Sequence, residues 1–313
     1  MNVALLGAAY QLGRLPLSWE NLKAGLSRTV RPADMRINLQ AFLLGRKIAA
    51  APAAFMPKSA RKPYRALLSE KAALLERRRE GLGRRYQEIL SKAADELHLE
   101  DSWKSQFALR VYDLILYENE NYAQIYADFV RRAFIKDSAA YGHHLTRAVL
   151  WNLHKVMAIK DEIFVAELLT REEKLEEDKQ RYNIDESRGD RIDYVHLNRP
   201  QFNVLGWDIQ WDMRTKNWML HLMKQMKFLR WLLPQWHSKE KAFRDWYAGH
   251  LERMLNEPAL DEKSRYDIWV KVLRLPEKVT GYRQIRHPKM EKARAEAGEL
   301  LASRPRRTPA LVP

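Results

Sequence analysis

The chain of 313 residues is 46% hydrophobic, with ten Trp, thirteen Tyr and no Cys, and carries a formal net charge of +15. That composition supports a folded protein of one large or two modest domains, and the lack of Cys excludes disulfides, a cysteine nucleophile and a cysteine-held iron–sulfur cluster on this chain. No apolar run reaches the roughly 18 residues of a membrane span and the N-terminal stretch has no basic leader, so a cytoplasmic chain without membrane contact is expected.

Residues 2–13 read as a helix ended by Gly13. Ser18 stands where it caps a second helix with Glu20 in the first turn, and a third begins near Pro32 with Met35, Leu39, Phe42 and Leu43 at helical spacing. Residues 51–57, APAAFMP, read as a linker. From Pro63 a basic helix runs through Leu67, Leu68, Leu74 and Leu75 to Arg77-Arg78-Arg79 and on to Tyr86, Ile89 and Leu90, loosened at Gly81 and Gly83. The charge is uneven: residues 58–93 hold eleven basic against four acidic side chains and 263–313 hold thirteen against five, leaving the rest neutral. Such segments suit an acidic protein, an anionic substrate group or nucleic acid, while a charged helix face in water needs no function.

A long helix is expected from Ser102 to about Ile135, with Phe107, Val111, Leu114, Tyr122, Ile125 and Phe129 as its apolar ladder. Tyr117, Tyr122 and Tyr126 read as core or interface aromatics with bonded hydroxyls. After a break at Ser138–Gly142 comes the stretch around which the chain is organised, Leu145–Leu169, free of Gly and Pro and long enough for one buried helix of about seven turns. Leu145, Val149, Val156, Ile159, Ile163 and Ala166 share one face, widened by Leu153, Met157, Phe164 and Leu168. Asn152, Lys160 and Glu167 fall inside that apolar arc, and each needs a partner. Either Lys160 and Glu167 satisfy each other or a facing helix, or Asn152 and Lys160 belong with Asp161 and Glu162 to a site or subunit contact.

After an acidic stretch from Glu172 to Asp178, the alternation in Asp208–Arg214 and the composition of Arg191–Leu197 predict two strands, forming a hairpin with a long loop. Asn217–Leu233 reads as a very apolar helix whose Lys224, Lys227 and Arg230 form a stripe. It is expected to pack in the core with the stripe in water, ahead of lying on a membrane. Ser238 is expected to cap the next helix, which buries Phe243, Trp246, Tyr247, Leu251 and Met254. A short helix with Tyr266, Trp269, Val270 and Leu273 and a last one from Pro288 with Met290, Ala293, Ala297 and Leu301 precede a disordered tail.

Candidate chemistry is sparse. His143-His144 and His154 lack a metal-ligand spacing, and there is no phosphate loop, nucleophile elbow or dinucleotide fingerprint. No catalytic constellation is expected.

Several motifs carry a resemblance. Asn152-Leu-His-Lys155-Val-Met157-Ala-Ile-Lys160-Asp161-Glu162, followed by Val165-Ala166 and Leu168, resembles the helical domain at the C-terminal end of the large indolepyruvate ferredoxin oxidoreductases, of the 2-oxoacid:ferredoxin oxidoreductase family. The run Tyr117-x-Asn119-x-Asn121-Tyr122-Ala123-x-x-Tyr126, then His196-Leu197 with Pro200, and the Gly281-Tyr282 turn with its Ala- and Arg-rich helix are similar to the same domain. Asn2-Val3 with Leu6-Gly7-Ala8 and Leu15-Pro16-Leu17-Ser18, and Asn38-Leu39-x-Ala41-Phe42-x-x-Gly45-Arg46, resemble the end of that family's α/β gamma domain. Its glycine-rich first βαβ portion would lie upstream of Met1, making the chain a fragment or half of a split subunit, with helices whose apolar faces lack their sheet.

The resemblance implies a mainly α chain: residues 1–57 a remnant of the gamma domain, 58–102 a basic helical connector, 103–302 a helical domain with one β-hairpin near 191–214, and 303–313 a disordered tail. It implies a non-catalytic component or fragment of an enzyme that oxidatively decarboxylates aryl pyruvates to arylacetyl-CoA, acting in assembly. No catalytic, cofactor or metal residue is expected here; thiamine diphosphate, Mg and iron–sulfur clusters would sit on partner domains. Asn152, Lys155, Lys160, Asp161, Glu162 and Glu167 are the candidate interface or site residues. The expected partner is a thiamine-dependent, iron–sulfur-containing subunit, with ferredoxin reached through the basic segments. The alternative is a stand-alone basic helical protein that binds nucleic acid or acts as a scaffold.

Overall fold

A computed structural model of the chain describes residues 2–55, 62–94, 100–192, 194, 196–198, 201–204, 207–210 and 213–303. The expected tail beyond Ser303, the end of the expected linker and parts of the expected connector lie outside those residues. The protein is mainly α and divides into two compact units, Met1–Lys62 and Pro63–Pro313.

The first unit consists of α1 (Asn2–Gln11), α2 (Trp19–Thr29), α3 (Met35–Ala50) and the single turn α4 (Pro52–Phe55), which occupies part of the expected linker. Ser18 caps α2, its hydroxyl accepting from the Asn21 amide at 3.2 Å. A Cβ on Gly7 would collide with the Phe42 carbonyl and one on Gly45 with the Ala4 carbonyl, so glycine at both positions is what lets α1 and α3 pack closely. Phe42 is fully buried against Tyr10 and Trp19, and Leu22 and Leu26 complete a small core. Much apolar surface stays in water. Leu5 on α1 and Leu12 in the turn just after it are 64% and 61% exposed, and Ile37 and Leu44, seven apart on α3 and therefore on one stripe, are 62% and 46% exposed.

The second unit begins with α5 (Tyr64–Arg78) and α6 (Leu82–Ala94), separated where the sequence suggested only loosening. Gly81 takes a left-handed φ of 77°, and the Glu76 carboxylate accepts from the Gly81 and Gly83 amides at 2.7 and 2.9 Å. This pair is no bare connector: Leu75, Tyr86, Ile89 and Leu90 are buried in the main core. The expected long helix over 102–135 is two, α7 (Asp101–Tyr117) and α8 (Glu120–Lys136), because Asn119 takes an extended backbone and its side chain caps the Tyr122 amide at 2.9 Å. The Tyr122 and Tyr126 hydroxyls donate to the Met157 and Leu150 carbonyls at 3.1 and 2.7 Å, which is how buried tyrosines avoid an unpaired oxygen.

The seven-turn helix expected at Leu145–Leu169 is also two, α9 (His144–Met157) and α10 (Glu162–Leu169). The break follows Met157 without Gly or Pro, because Asp161 caps α10 by accepting from the Phe164 amide at 2.7 Å. α9 is the central helix: Leu145, Val149, Leu150, Leu153 and Val156 are buried among α7, α8, α14 and α15.

α11 (Glu172–Tyr182) leads to four short strands, β1 (His196–Asn198), β2 (Gln201–Val204), β3 (Trp207–Gln210) and β4 (Met213–Thr215). β1 pairs antiparallel with β4, Leu197 opposite Arg214, and β2 with β3, Phe202 opposite Ile209. A single hairpin with a long loop is thus not what forms, since residues 201–204 of the expected loop alternate polar and apolar like a strand and pair as one. The expected helix Asn217–Leu233 is reduced to α12 (Asn217–Met223) and α13 (Leu229–Leu232). α14 (Ser238–Leu255), α15 (Lys263–Arg274) and α16 (Arg283–Ala302) complete the unit, α16 starting one turn before Pro288 rather than at it. No described helix is long and apolar enough to cross a membrane.

Candidate functional site

The candidate residues are distributed along α9, the break and α10, and the structure divides them into three sets. Asn152, buried on α9, donates from Nδ2 to the Ala148 carbonyl at 3.0 Å and reaches Glu277 Oε1 at 3.4 Å. One turn later Lys155 Nζ donates to the Pro276 carbonyl at 2.6 Å and the Glu277 carbonyl at 3.3 Å. Burial, helped by the nearby Arg286 charge, lowers the Lys155 pKa. This set ties α9 to the turn after α15, satisfying carbonyls that end a helix.

Asp161 and Glu162 face the segment around α13. Asp161 is 2% exposed, and Arg230 grips it with two prongs, Nε to Oδ2 at 2.6 Å and Nη2 to Oδ1 at 2.9 Å. The third guanidinium nitrogen donates to the Tyr117 carbonyl and to Glu118 Oε2, the latter at 3.0 Å, and the guanidinium lies 4.0 Å from the Tyr117 ring centre. Burial opposes the charge on Arg230, but hydrogen bonding and attraction to Asp161 outweigh it and raise its pKa. The same α7 terminus takes Lys227, whose Nζ donates to the Glu118 carbonyl at 3.2 Å. Cations on the carbonyl end of a helix complement its dipole, yet burial and the adjacent Arg230 pull Lys227 down to about 8.

Glu162 begins a chain of alternating carboxylates and imidazoles. Its Oε2 lies 3.2 Å from His237 Nε2, His237 Nδ1 lies 3.8 Å from Glu240 Oε2, and Glu240 Oε1 lies 3.0 Å from His287 Nε2. Burial disfavours a charged His237, but Glu162 and Glu240 more than compensate and hold it at about 9. Glu240 is correspondingly held at about 2, burial being outweighed by the two imidazoles. His237, with a left-handed φ of 56°, occupies the cap position of α14 where Ser238 was expected, and Ser238 is the first helical residue.

Glu167 closes the question of its partner. It is 3% exposed and pairs with Arg78 of α5 at 2.5 Å, while Lys160 is exposed in the gap between α9 and α10. The Lys160–Glu167 pairing assumed one continuous helix, and the cap at Asp161 removes it.

A further polar group escaped the sequence reading. Arg171 Nη2 lies 2.9 Å from Asp113 Oδ1, with His154 Nε2 3.6 Å from Asp113 Oδ2, beyond hydrogen-bond range. Burial, reinforced by Arg110 and Arg171, lowers His154 to about 3, so it is neutral. Beside it Glu173 accepts from the Tyr112 hydroxyl at 2.8 Å and from Lys71 at 3.0 Å, which with its own backbone offsets burial and sets it at about 2. Periodicity hides these residues because they come from α5, α7, α9 and the start of α11.

The described hollows are lined by Ser69–Gln87, Glu252–Trp269 and Lys292–Ser303 side chains, the first about 470 Å³, and none is lined by a candidate residue. His143 stacks on Phe134 at 4.8 Å, away from His154, and among the described residues no three His, Asp or Glu side chains gather to hold a metal ion. Every buried candidate is committed to an intramolecular partner. Chemically these are latches that join α5, α7, α9, α10, α13 and α14.

Comparison with known proteins gives one finding. A model for a family of unknown function, DUF6537, matches residues 104–299. No curated protein and no solved structure matches the chain. The match covers more than half of the sequence, and the chain belongs to that family.

Proposed function

We propose that this chain is a non-catalytic component of an indolepyruvate (aryl pyruvate) ferredoxin oxidoreductase, acting in the assembly of the complex. The observation that carries the reading is the apolar surface left open in the first unit. Leu5 on α1, Leu12 in the turn after it, and Ile37 and Leu44 in one stripe on α3 all stand in water, apolar surface of the kind that normally covers a sheet or a subunit. Two observations support it. The helical segment that resembles the oxidoreductases' C-terminal domain, 103–302, coincides with the family match at 104–299. Within it Asp161 pairs with Arg230 and Glu162 with His237, which suits a structural role.

In that role the thiamine diphosphate, Mg and iron–sulfur clusters belong to the partner subunit, and ferredoxin would approach through basic segments. The first of those segments has less free charge than its sequence suggests. Arg77 lies 3.4 Å from Glu172, Arg78 2.5 Å from Glu167 and Arg79 2.6 Å from Glu120. This also counts against a nucleic-acid role for that run.

Anoxic purification of the tagged full-length chain from its own cells tests the reading. A brown complex containing a thiamine-dependent subunit, with aryl-pyruvate-dependent reduction of ferredoxin, is the expected outcome. A colourless chain that purifies alone, or with nucleic acid removed by salt, overturns it.

A further inference from the structure

The segment Asn217–Leu233 is turned inside out relative to its composition. Trp231 is 84% exposed and Trp218 66%, with Leu222, Phe228, Leu232 and Leu233 also in water, and only Leu220 is buried. Meanwhile Lys227 and Arg230 point inward, to the Glu118 carbonyl and to Asp161. The inversion has a structural cause: Asp161, Glu118 and the Tyr117 carbonyl claim the cations, and each claimed cation fixes the aromatic side of its turn outward. No Asp or Glu occurs from Met213 to Lys239, and Lys216 and Lys239 are exposed at the edges.

We propose that this face, built from α12, α13 and the turn between them, docks a partner protein whose contact surface is an apolar hollow bordered by Asp and Glu side chains. Trp is among the residues that most often dominate binding energy at protein interfaces, and Met is enriched there. Other occupants fit less well. A second copy would bring the same acid-free surface and set lysines against lysines. A helix lying on a membrane presents one continuous apolar face with its cations snorkelling outward; this segment is broken between Met223 and Leu229, and two of its cations are spent inside. The proposal rests on the preceding functional reading only for the identity of the partner.

The test compares the full-length chain with its Trp218→Ser, Trp231→Ser double variant for binding to the thiamine-dependent subunit. Both side chains are mostly in water, so unchanged thermal unfolding is the folding control. We expect binding about ten-fold weaker or more, with Ile135→Ser, at an exposed apolar residue on another helix, binding like the parent. Equal binding by the double variant overturns the docking face while leaving the subunit reading standing. Should the parent itself not bind that subunit, the subunit reading is what fails. The face is then tested by Trp231→p-benzoylphenylalanine, irradiated in the source cells. A cross-link mapped onto a carboxylate-bordered apolar surface of an identified protein supports the proposal. Cross-links to a second copy, lipid or RNA, or none at all, overturn it.

Discussion

α9 and the segment from α12 to α13 look alike as sequence. Each is a Gly- and Pro-free apolar run interrupted by a few polar residues, yet α9 buries Leu145, Val149, Leu150 and Leu153 while the other exposes Trp218, Phe228 and Trp231. The difference lies in what the polar residues meet. In α9, Asn152 and Lys155 find acceptors at the helix edge without disturbing the apolar stripe. In the second segment Arg230 finds a buried carboxylate, and turning it outward would leave Asp161 buried without its counter-charge, at a cost of about 3–5 kcal/mol. Hydrophobic content therefore gives the capacity to be buried, and the location of the counter-charge selects the face.

The largest break in this comparison comes from Asp161→Ala. It removes the carboxylate from an Arg230 side chain only 8% exposed and removes the cap of α10, so a loss of about 3–5 kcal/mol is expected in urea unfolding. A loss under about 1 kcal/mol would mean that the pair does not hold the segment. Next comes Leu150→Ala on α9, which leaves a cavity beside a fully buried position and should cost about 2–5 kcal/mol. A cost that small side chains elsewhere on the surface also show would remove α9 from the centre of the core.

The pH dependence sharpens the contrast at the start of α14. His237 is held at about 9 against an unfolded value of about 6.5, so its contribution is fully present below about pH 6.5 and is lost as pH rises through about 9. Unfolding midpoints measured across that interval should fall more in the parent than in Glu162→Gln, where one of the two raising carboxylates is gone. Parallel curves would show that Glu162 does not hold the imidazole charged.

How much of this was legible in the sequence follows from the same physics. The mainly α class, the core residues of α9 and the cap at Ser18 rest on local periodicity and a local hydrogen bond, which the sequence carries, while the bonded hydroxyls of Tyr122 and Tyr126 follow from residue type alone, their acceptors lying 35 and 24 residues away. The breaks at Asn119 and Asp161 were hidden, because Asn and Asp are tolerated inside helices and cap only when the surrounding structure bends the chain. Glu167 was expected to need a partner, and Asp161 and Glu162 were offered as part of a site or subunit contact; all three meet a partner within the chain. Their partners Arg230, His237 and Arg78 are 69, 75 and 89 residues away, and no pattern in one sequence reports such distances. The same separation hid the Asp113, His154 and Arg171 group, drawn from three elements.

The smallest expected effect concerns Lys160 and bears on the helix break itself. In a continuous helix Lys160 and Glu167 would share a face, and Lys160→Met would leave a buried carboxylate unpaired. With the chain broken at Asp161, Lys160 stands in water and Glu167 belongs to Arg78, so Lys160→Met should stay within about 0.5 kcal/mol. Glu167→Leu alone should cost about 1 kcal/mol, a modest figure because water still reaches the Arg78 guanidinium. Combined, the two changes should be additive, since the residues share no partner. A coupling well above about 0.5 kcal/mol in that double-mutant cycle would restore the contact between them, and with it the single continuous helix.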